Sequence, residues 1–289
     1  MTGLARLFGG AVLVALIIYL VIFALLYFNQ RNFVFHPDTR PIKPQEAGLR
    51  GFETVETAPG QSSWWHAPRS PDMPVILYLH GNGGALAGRA PIFAEMASWG
   101  MGVIAVGYPG YGGNPGKPNE ADIQRAAQAN YDWLIGQGVE PARIVITAHS
   151  MGTGVAVPLA AKNRAAGLIL ESPFTSLAAV AQQAMWMFPV EPVIKDPFRS
   201  VDHIAQVKMP VAWMHGTADQ LIPYQMGEQL FAMVKGPKCN LRIEGGDHDN
   251  LWYAGAGAFT QRQAFSMVKT GGCDATPVRL KDGALLPLA

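Results

Sequence analysis

The sequence has no excess of charge of either sign: 22 Lys and Arg stand against 21 Asp and Glu, a net +1. Bulk electrostatic attraction to nucleic acid or to an anionic lipid surface is therefore not a feature of this chain. Cysteine is scarce too. Cys239 and Cys273 are too few for a disulfide framework and match neither a CxxC redox motif nor zinc-ligand spacing; they read as free thiols, with a single pairing as the alternative. Gly and Pro, 32 and 22 residues, stay below the level of a low-complexity or collagen-like chain. There is no P-loop and no G-x-G-x-x-G following a strand, so no cofactor and no metal is called for. What is abundant is apolar side chain. At 49% apolar residues and a mean hydropathy of +0.13, the 289 residues must bury a large core, enter a membrane, or both.

Part of that apolar content lies in one run. Residues 7–28 carry no charge, and 22 helical residues at 1.5 Å each give about 33 Å, enough to span a bilayer. A cleaved leader would be shorter and end in small residues, whereas this run ends in Leu25, Leu26, Tyr27 and Phe28. A retained anchor over residues 1–31 is the expectation. Tyr19 lies mid-span, while Tyr27 and Phe28 next to Asn29, Gln30 and Arg31 form an interfacial belt. Arg6 on one flank and Arg31, Arg40 and Lys43 on the other leave the side of the membrane undecided. A Pro-rich linker follows at 32–49.

From residue 50 to 269, short β-branched runs alternate with helical stretches, the pattern of one α/β domain with a mostly parallel sheet. Strands are expected at 74–81, 102–110, 143–150, 167–174, 210–216 and 240–246, with a hairpin of 51–57 and 62–68 at the edge. Helices are expected at 85–99, 119–136, 151–164 and 225–235. The last segment, 270–289, shows no clear periodicity and reads as a tail, loosely attached or packed at the domain edge.

The residues that can carry chemistry fall at strand ends. Ser150 sits between a strand and a helix in Ala148-His149-Ser150-Met151-Gly152, the setting of a nucleophile elbow, where a sharp turn lifts the hydroxyl to a helix N-terminus. The usual first Gly is Ala148 here, the smallest possible departure. An earlier strand ends in His80-Gly81-Asn82-Gly83-Gly84, a turn open enough for main-chain N–H groups to reach an oxyanion; Asn82 and Met151 are the candidate donors. Asp219 and then His248 each follow a later strand. Glu171 is a rival acid, one strand early. His80, His149 and His215 border strand ends and read as structural hydrogen-bonding groups. Tyr108 and Tyr111 either border the pocket or pack the turn.

Together HGNGG, GYPGYGGNPGKPNE, AHSMGTG, LESPFTSL, HGTADQLIP and GGDHDNLW resemble an α/β-hydrolase of the Bem46 type, close to the ABHD12–ABHD13 branch, over residues 50–269. The resemblance implies an α/β-hydrolase fold, a serine hydrolase with Ser150, Asp219 and His248 as nucleophile, acid and base, and lipid-like esters as substrates. Residues 175–209 occupy the place of a cap. Met185, Trp186 and Phe188 in it are candidates to line an acyl pocket or face the bilayer, against the alternative of ordinary packing on the sheet. So small a cap suggests a fairly open site for modest acyl groups. The expected function is hydrolysis of carboxylic esters such as monoacylglycerol, lysophospholipid or another amphiphile. The alternatives are a peptidase or thioesterase with the same groups, and a non-catalytic membrane-tethered binding module.

Overall fold

Strands with no polar face must lie inside a sheet covered on both sides, and the computed structural model places them so. The structure describes residues 2–276 together with 278–279 and 285–286. In chain order the elements are α1 (Thr2–Val34), β1 (His36–Pro37), β2 (Glu53–Ala58), β3 (Gln61–His66), β4 (Val75–Leu79), β5 (Gly83–Gly84), α2 (Ala90–Ser98), β6 (Gly102–Ala105), α3 (Glu120–Gly136), β7 (Ile144–His149) and α4 (Met151–Lys162). They continue with β8 (Gly167–Glu171), α5 (Leu177–Ala184), β9 (Val211–Gly216), α6 (Tyr224–Ala232), β10 (Lys238–Ile243), α7 (Gly257–Thr270), β11 (Val278–Arg279) and β12 (Leu285–Leu286).

The main sheet has eight strands in the order β10-β9-β8-β7-β4-β6-β3-β2, parallel except for the edge pairs β6–β3 and β3–β2. Side chains alternate across it. Leu77, Ile146 and Leu168 meet Ile123 and Tyr131 of α3, Val155 of α4 and Leu230 of α6. Ile76, Val145 and Ile169 meet Phe93 and Met96 of α2 and Phe259 and Met267 of α7 on the opposite face. After β4 the chain first adds β6 on one side and then β7 on the other, so the carboxyl ends of β4 and β7 flank a topological switch point, where open α/β sheets bind ligands.

The helix expected at 85–99 splits into a short 3-10 turn, Leu86–Arg89, and α2. Helices α5 and α7 were not among those expected from the sequence. Asn119 caps α3 by accepting from the Asp122 amide at 3.0 Å, and Ser176 caps α5 by accepting from Ala179 at 3.0 Å. The N-terminal run is longer than residues 7–28: it forms one helix to Val34, and its stretch Ala5–Val34 is long and apolar enough to cross a membrane.

Residues 32–49 are not a free linker. Phe35 and Leu49 are buried, β1 pairs in parallel with β5, and the Gly112 amide donates to Asp38 O at 2.7 Å. Cys239 and Cys273 are free, and Cys273 Sγ donates to Val211 O at 3.7 Å. In the expected tail, residues 270–276 are held to α7, with Gln263 Nε2 donating to Asp274 O at 2.7 Å and Gln263 Oε1 accepting from the Asp274 amide at 3.0 Å, and β11 and β12 pair antiparallel; residues 277, 280–284 and 287–289 lie outside the described residues.

Candidate active site

The turn from β7 into α4 forces Ser150 to φ 53 and ψ −126, outside the basins open to most L-residues, and such a conformation costs on the order of 1–3 kcal/mol. Only a very small residue fits two positions on: a Cβ on Gly152 would lie 2.3 Å from Leu79 O and 2.7 Å from His80 O. The first turn of α4 thus lies against the end of β4, and Ala148, with its methyl in the core, is accommodated within β7.

The strained turn delivers Ser150 Oγ to 2.9 Å from His248 Nε2. His248 Nδ1 lies 2.8 Å from Asp219 Oδ2, so the two bonds fit one tautomer, with the proton on Nδ1 donated to the carboxylate. Asp219 Oδ1 accepts from the Leu221 and Ile222 amides at 2.9 and 2.8 Å. His215, fully buried, lies with Nε2 3.2 Å from Asp219 Oδ2 and 2.9 Å from Ile222 O, sharing one N–H between them. Burial opposes ionisation of Asp219, but hydrogen bonds from His215, His248 and the Ile222 amide, with the His248 charge, outweigh it and hold the carboxyl well below the usual range.

Asn82 and Met151 both border the cavity at Ser150. The Met151 N–H belongs to the first turn of α4, where amides have no intrahelical acceptor. The loop carrying Asn82 is held from three directions: Asn82 Nδ2 donates to Val34 O at 2.9 Å, and Asn82 O accepts from the His36 amide at 3.1 Å and from Tyr111 Oη at 2.8 Å. The site can thus polarise a serine hydroxyl, receive its proton and present amides toward a developing negative charge.

The space around Ser150 has two unlike sides. One is an apolar cavity of about 470 Å³ with Phe33, Val34, Phe174, Leu177, Ala181 and Met185 in its walls. The other, about 370 Å³, presents Gly81–Ala85, Arg89, His149, His248 and Asp249. Glu171 is set back in an adjoining polar recess with Arg89, His149 and Asp249. Burial, opposed by Arg89 and His248, raises its carboxyl to about 7, and burial lowers His149 to about 3, with Arg89 and His248 acting in the same direction. His248 Nδ1 faces Asp219 and not Glu171. His149, His248 and Asp249 have potential metal-ligating atoms within 4.8 Å of one another, but both His248 ring nitrogens already hold Ser150 and Asp219.

The expected pocket residues separate. Met185 borders the Ser150 cavity, and Phe188 borders a neighbouring groove. Trp186 is 77% exposed, turned outward where the chain leaves α5. Tyr108 is fully buried, donates to His80 O at 3.0 Å and stacks on the His80 ring, so the turn-packing alternative describes it. Two contributors were not recognised from the sequence. Arg89 is the one charged residue in 81–94, a signal that was available. The contact of His215 with Asp219 has only the weaker signal of a spacing of four residues.

Residues 70–196 match the family described as serine aminopeptidase, S33. An uncharacterized protein of Mycobacterium tuberculosis is 33% identical over 231 residues, which cover 78% of this chain and 82% of that one. The chain belongs to the α/β-hydrolase family. Within it, the ABHD branch is represented by the lysophosphatidylserine lipase ABHD12 of Danio rerio, 31% identical over 61% of this α/β-hydrolase and 51% of the relative. Among solved structures, the esterase of Pyrococcus furiosus superposes with a TM-score of 0.64 at 17% identity over 82% of this chain and 98% of that one. The monoacylglycerol lipase of Paleococcus ferrophilus does so with 0.53 at 18% over 73% and 98%.

Proposed function

We propose that this α/β-hydrolase is a membrane-anchored serine hydrolase that cleaves carboxylic esters of amphiphilic lipids. The observation that carries the reading is the unbroken line from Ser150 Oγ through His248 to Asp219, at 2.9 and 2.8 Å, on a strained strand-to-helix turn. In the reaction, Oγ attacks the ester carbonyl carbon while His248 Nε2 takes the hydroxyl proton, and Asp219 holds the imidazole and stabilises the imidazolium. The Asn82 and Met151 amides stabilise the tetrahedral oxyanion, where loss of one donor typically costs about 100- to 1000-fold in rate. Collapse breaks the bond to the alcohol oxygen, which leaves with the proton from His248. Water then attacks the acyl-serine, giving its proton to His248. The free acid departs and Oγ recovers its proton.

The amphiphilic substrate is supported by the two sides of the site, apolar toward α5 and polar around Arg89 and Asp249. The names of the Danio rerio lipase and the Paleococcus lipase agree with an ester of a lipid. Retention of α1 is supported by its specific contacts with the cap: Arg31 forks onto Asp196 at 2.7 and 3.2 Å, and Gln30 Oε1 accepts from the Lys195 amide at 2.6 Å. Peptide cleavage is the second reading, favoured by the match of residues 70–196 to an aminopeptidase family.

The test is fluorophosphonate labelling of the full chain beside turnover of ester, thioester and peptide panels. Labelling that vanishes in Ser150→Ala, with esters turned over fastest, is the expected result. A folded parent that takes no label overturns the preformed nucleophile and leaves the tethered binding module, and peptide turnover above ester turnover selects the second reading.

A further inference from the structure

The apolar cavity at Ser150 has a neighbour between α1 and the cap. Phe33, Val34, Ala181 and Met185 border it and also border a second, narrower groove of about 70 Å³. That groove runs between α1, through Phe23, Leu26 and Tyr27, and the cap, through Phe188, Val190 and Ile194. Its lining is apolar but for Gln30, whose amide is engaged with Tyr27 O at 2.9 Å and Val193 O at 3.4 Å. The two elements are joined along their length. Phe188 stacks on Tyr19 and on Phe23 with ring centroids 5.0 and 6.0 Å away, and Tyr19 Oη donates to Met187 O at 3.1 Å.

These contacts place the cap tip at the depth of the span. Tyr19 stands in the middle of the uncharged run 7–28, where a phenol hydroxyl has no water to bond and needs an internal acceptor. The Met187 carbonyl is that acceptor, and Trp186 and Met187 beside it are 77% and 59% exposed, as lipid-facing side chains are. At the other end of the contact the Arg31–Asp196 pair marks the polar boundary. The groove therefore lies at the level of the acyl chains and shares Phe33, Val34, Ala181 and Met185 with the cavity that reaches the candidate nucleophile.

We infer that this groove is the acyl-chain channel of the enzyme and that α1 is a wall of its substrate site as well as a tether, so that the substrate is an ester of one long, unbranched acyl chain drawn sideways from the bilayer. The inference rests on the serine hydrolase reading above. From Phe23 to Val34 the helix rises about 16 Å. An all-trans chain built from C–C bonds of about 1.5 Å advances about 1.3 Å per carbon, so this stretch is as long as a chain of about a dozen carbons. The open site for modest acyl groups expected from the size of the cap leaves α1 out of account; with α1 as the missing wall, short chains leave the groove unfilled.

The test uses the full chain in detergent micelles and compares p-nitrophenyl butyrate with p-nitrophenyl palmitate. The parent is expected to favour palmitate in kcat/KM, and Leu26→Trp and Ile194→Trp, which fill the groove away from Ser150, are expected to lower the palmitate-to-butyrate ratio at least tenfold. An unchanged ratio in both variants, or a parent without preference for the long chain, overturns the channel while leaving the hydrolase reading standing. No turnover of either ester and no fluorophosphonate label overturns both. A hexadecyl fluorophosphonate with a terminal diazirine needs no variant: after labelling Ser150 and irradiation, its crosslinks are expected within residues 19–34 and 181–194. Crosslinks around Arg89 and Tyr253 would overturn the channel.

Discussion

The two walls of the site are built in different ways. The wall that holds Ser150, Asp219 and His248 is made of strand ends, and β4, β7, β8 and β9 behind it are buried at every residue. The wall facing it is made of α1, α5 and the turns after α5, with many side chains half-buried or exposed and elements joined by a few contacts across some 165 residues of sequence. The first fixes reacting atoms to within hydrogen-bond tolerance because a close-packed sheet has no room to shift. In the reading proposed above, the second selects what is presented to them.

The largest effects should come from the rigid wall. Ser150→Ala is expected to lower kcat by about 10⁴-fold or more and to abolish fluorophosphonate labelling, with the melting temperature little changed because the backbone at 150 and the packing around it stay as they are. Asp219→Asn keeps the shape but loses the charge and the tautomer control, and kcat is expected to fall by about 10³- to 10⁴-fold, read from steady-state rates at saturating ester. Gly152→Ala tests the packing behind the turn: with its Cβ 2.3 Å from a carbonyl oxygen, it should force α4 away from β4 and lower stability by about 1–3 kcal/mol in denaturant titration.

Glu171 sharpens the contrast through pH. Its folded pKa of about 7 lies above the ordinary 4.5, so the native state keeps a proton that the unfolded chain loses between those values, and stability falls as pH rises through that window. Glu171→Gln removes the loss: in denaturant titration it should match the parent in stability at pH 5 and exceed it at pH 8, by at most about 3 kcal/mol. The smallest effect belongs to the second wall. Arg31→Gln removes the half-exposed partner of the buried Asp196, which keeps the Glu120 amide at 2.9 Å, and should lower stability by about 1–2 kcal/mol, measured by melting of the full chain in detergent.

Sequence reading and structure agree most closely where a local pattern meets a local requirement. The strand from Ile144 to His149 is mostly apolar because both faces are covered, and the small residues at 148 and 152 allow the turn at Ser150, so the elbow is legible without coordinates. Chain order suggested Asp219 over Glu171, and the 2.8 Å contact with His248 is the geometry that goes with it. Aromatic side chains were less readable. Tyr108 and Trp186 were both candidates for the pocket, yet one is sealed against His80 and the other faces outward, because the direction of a side chain in a turn depends on where the turn packs.

By itself the sequence determined the alternation of strands and helices, the uncharged N-terminal run and the three strand-end residues, since each follows from side-chain chemistry over a few consecutive positions. Tertiary structure alone decided that residues 32–49 are bound to the domain, that His215 shares its N–H with Asp219, and that the N-terminal helix and the cap enclose one apolar space at Ser150. The physical reason is range: those relations join segments up to about 165 residues apart, as between Arg31 and Asp196, and no local periodicity records which surfaces will meet once the core has closed.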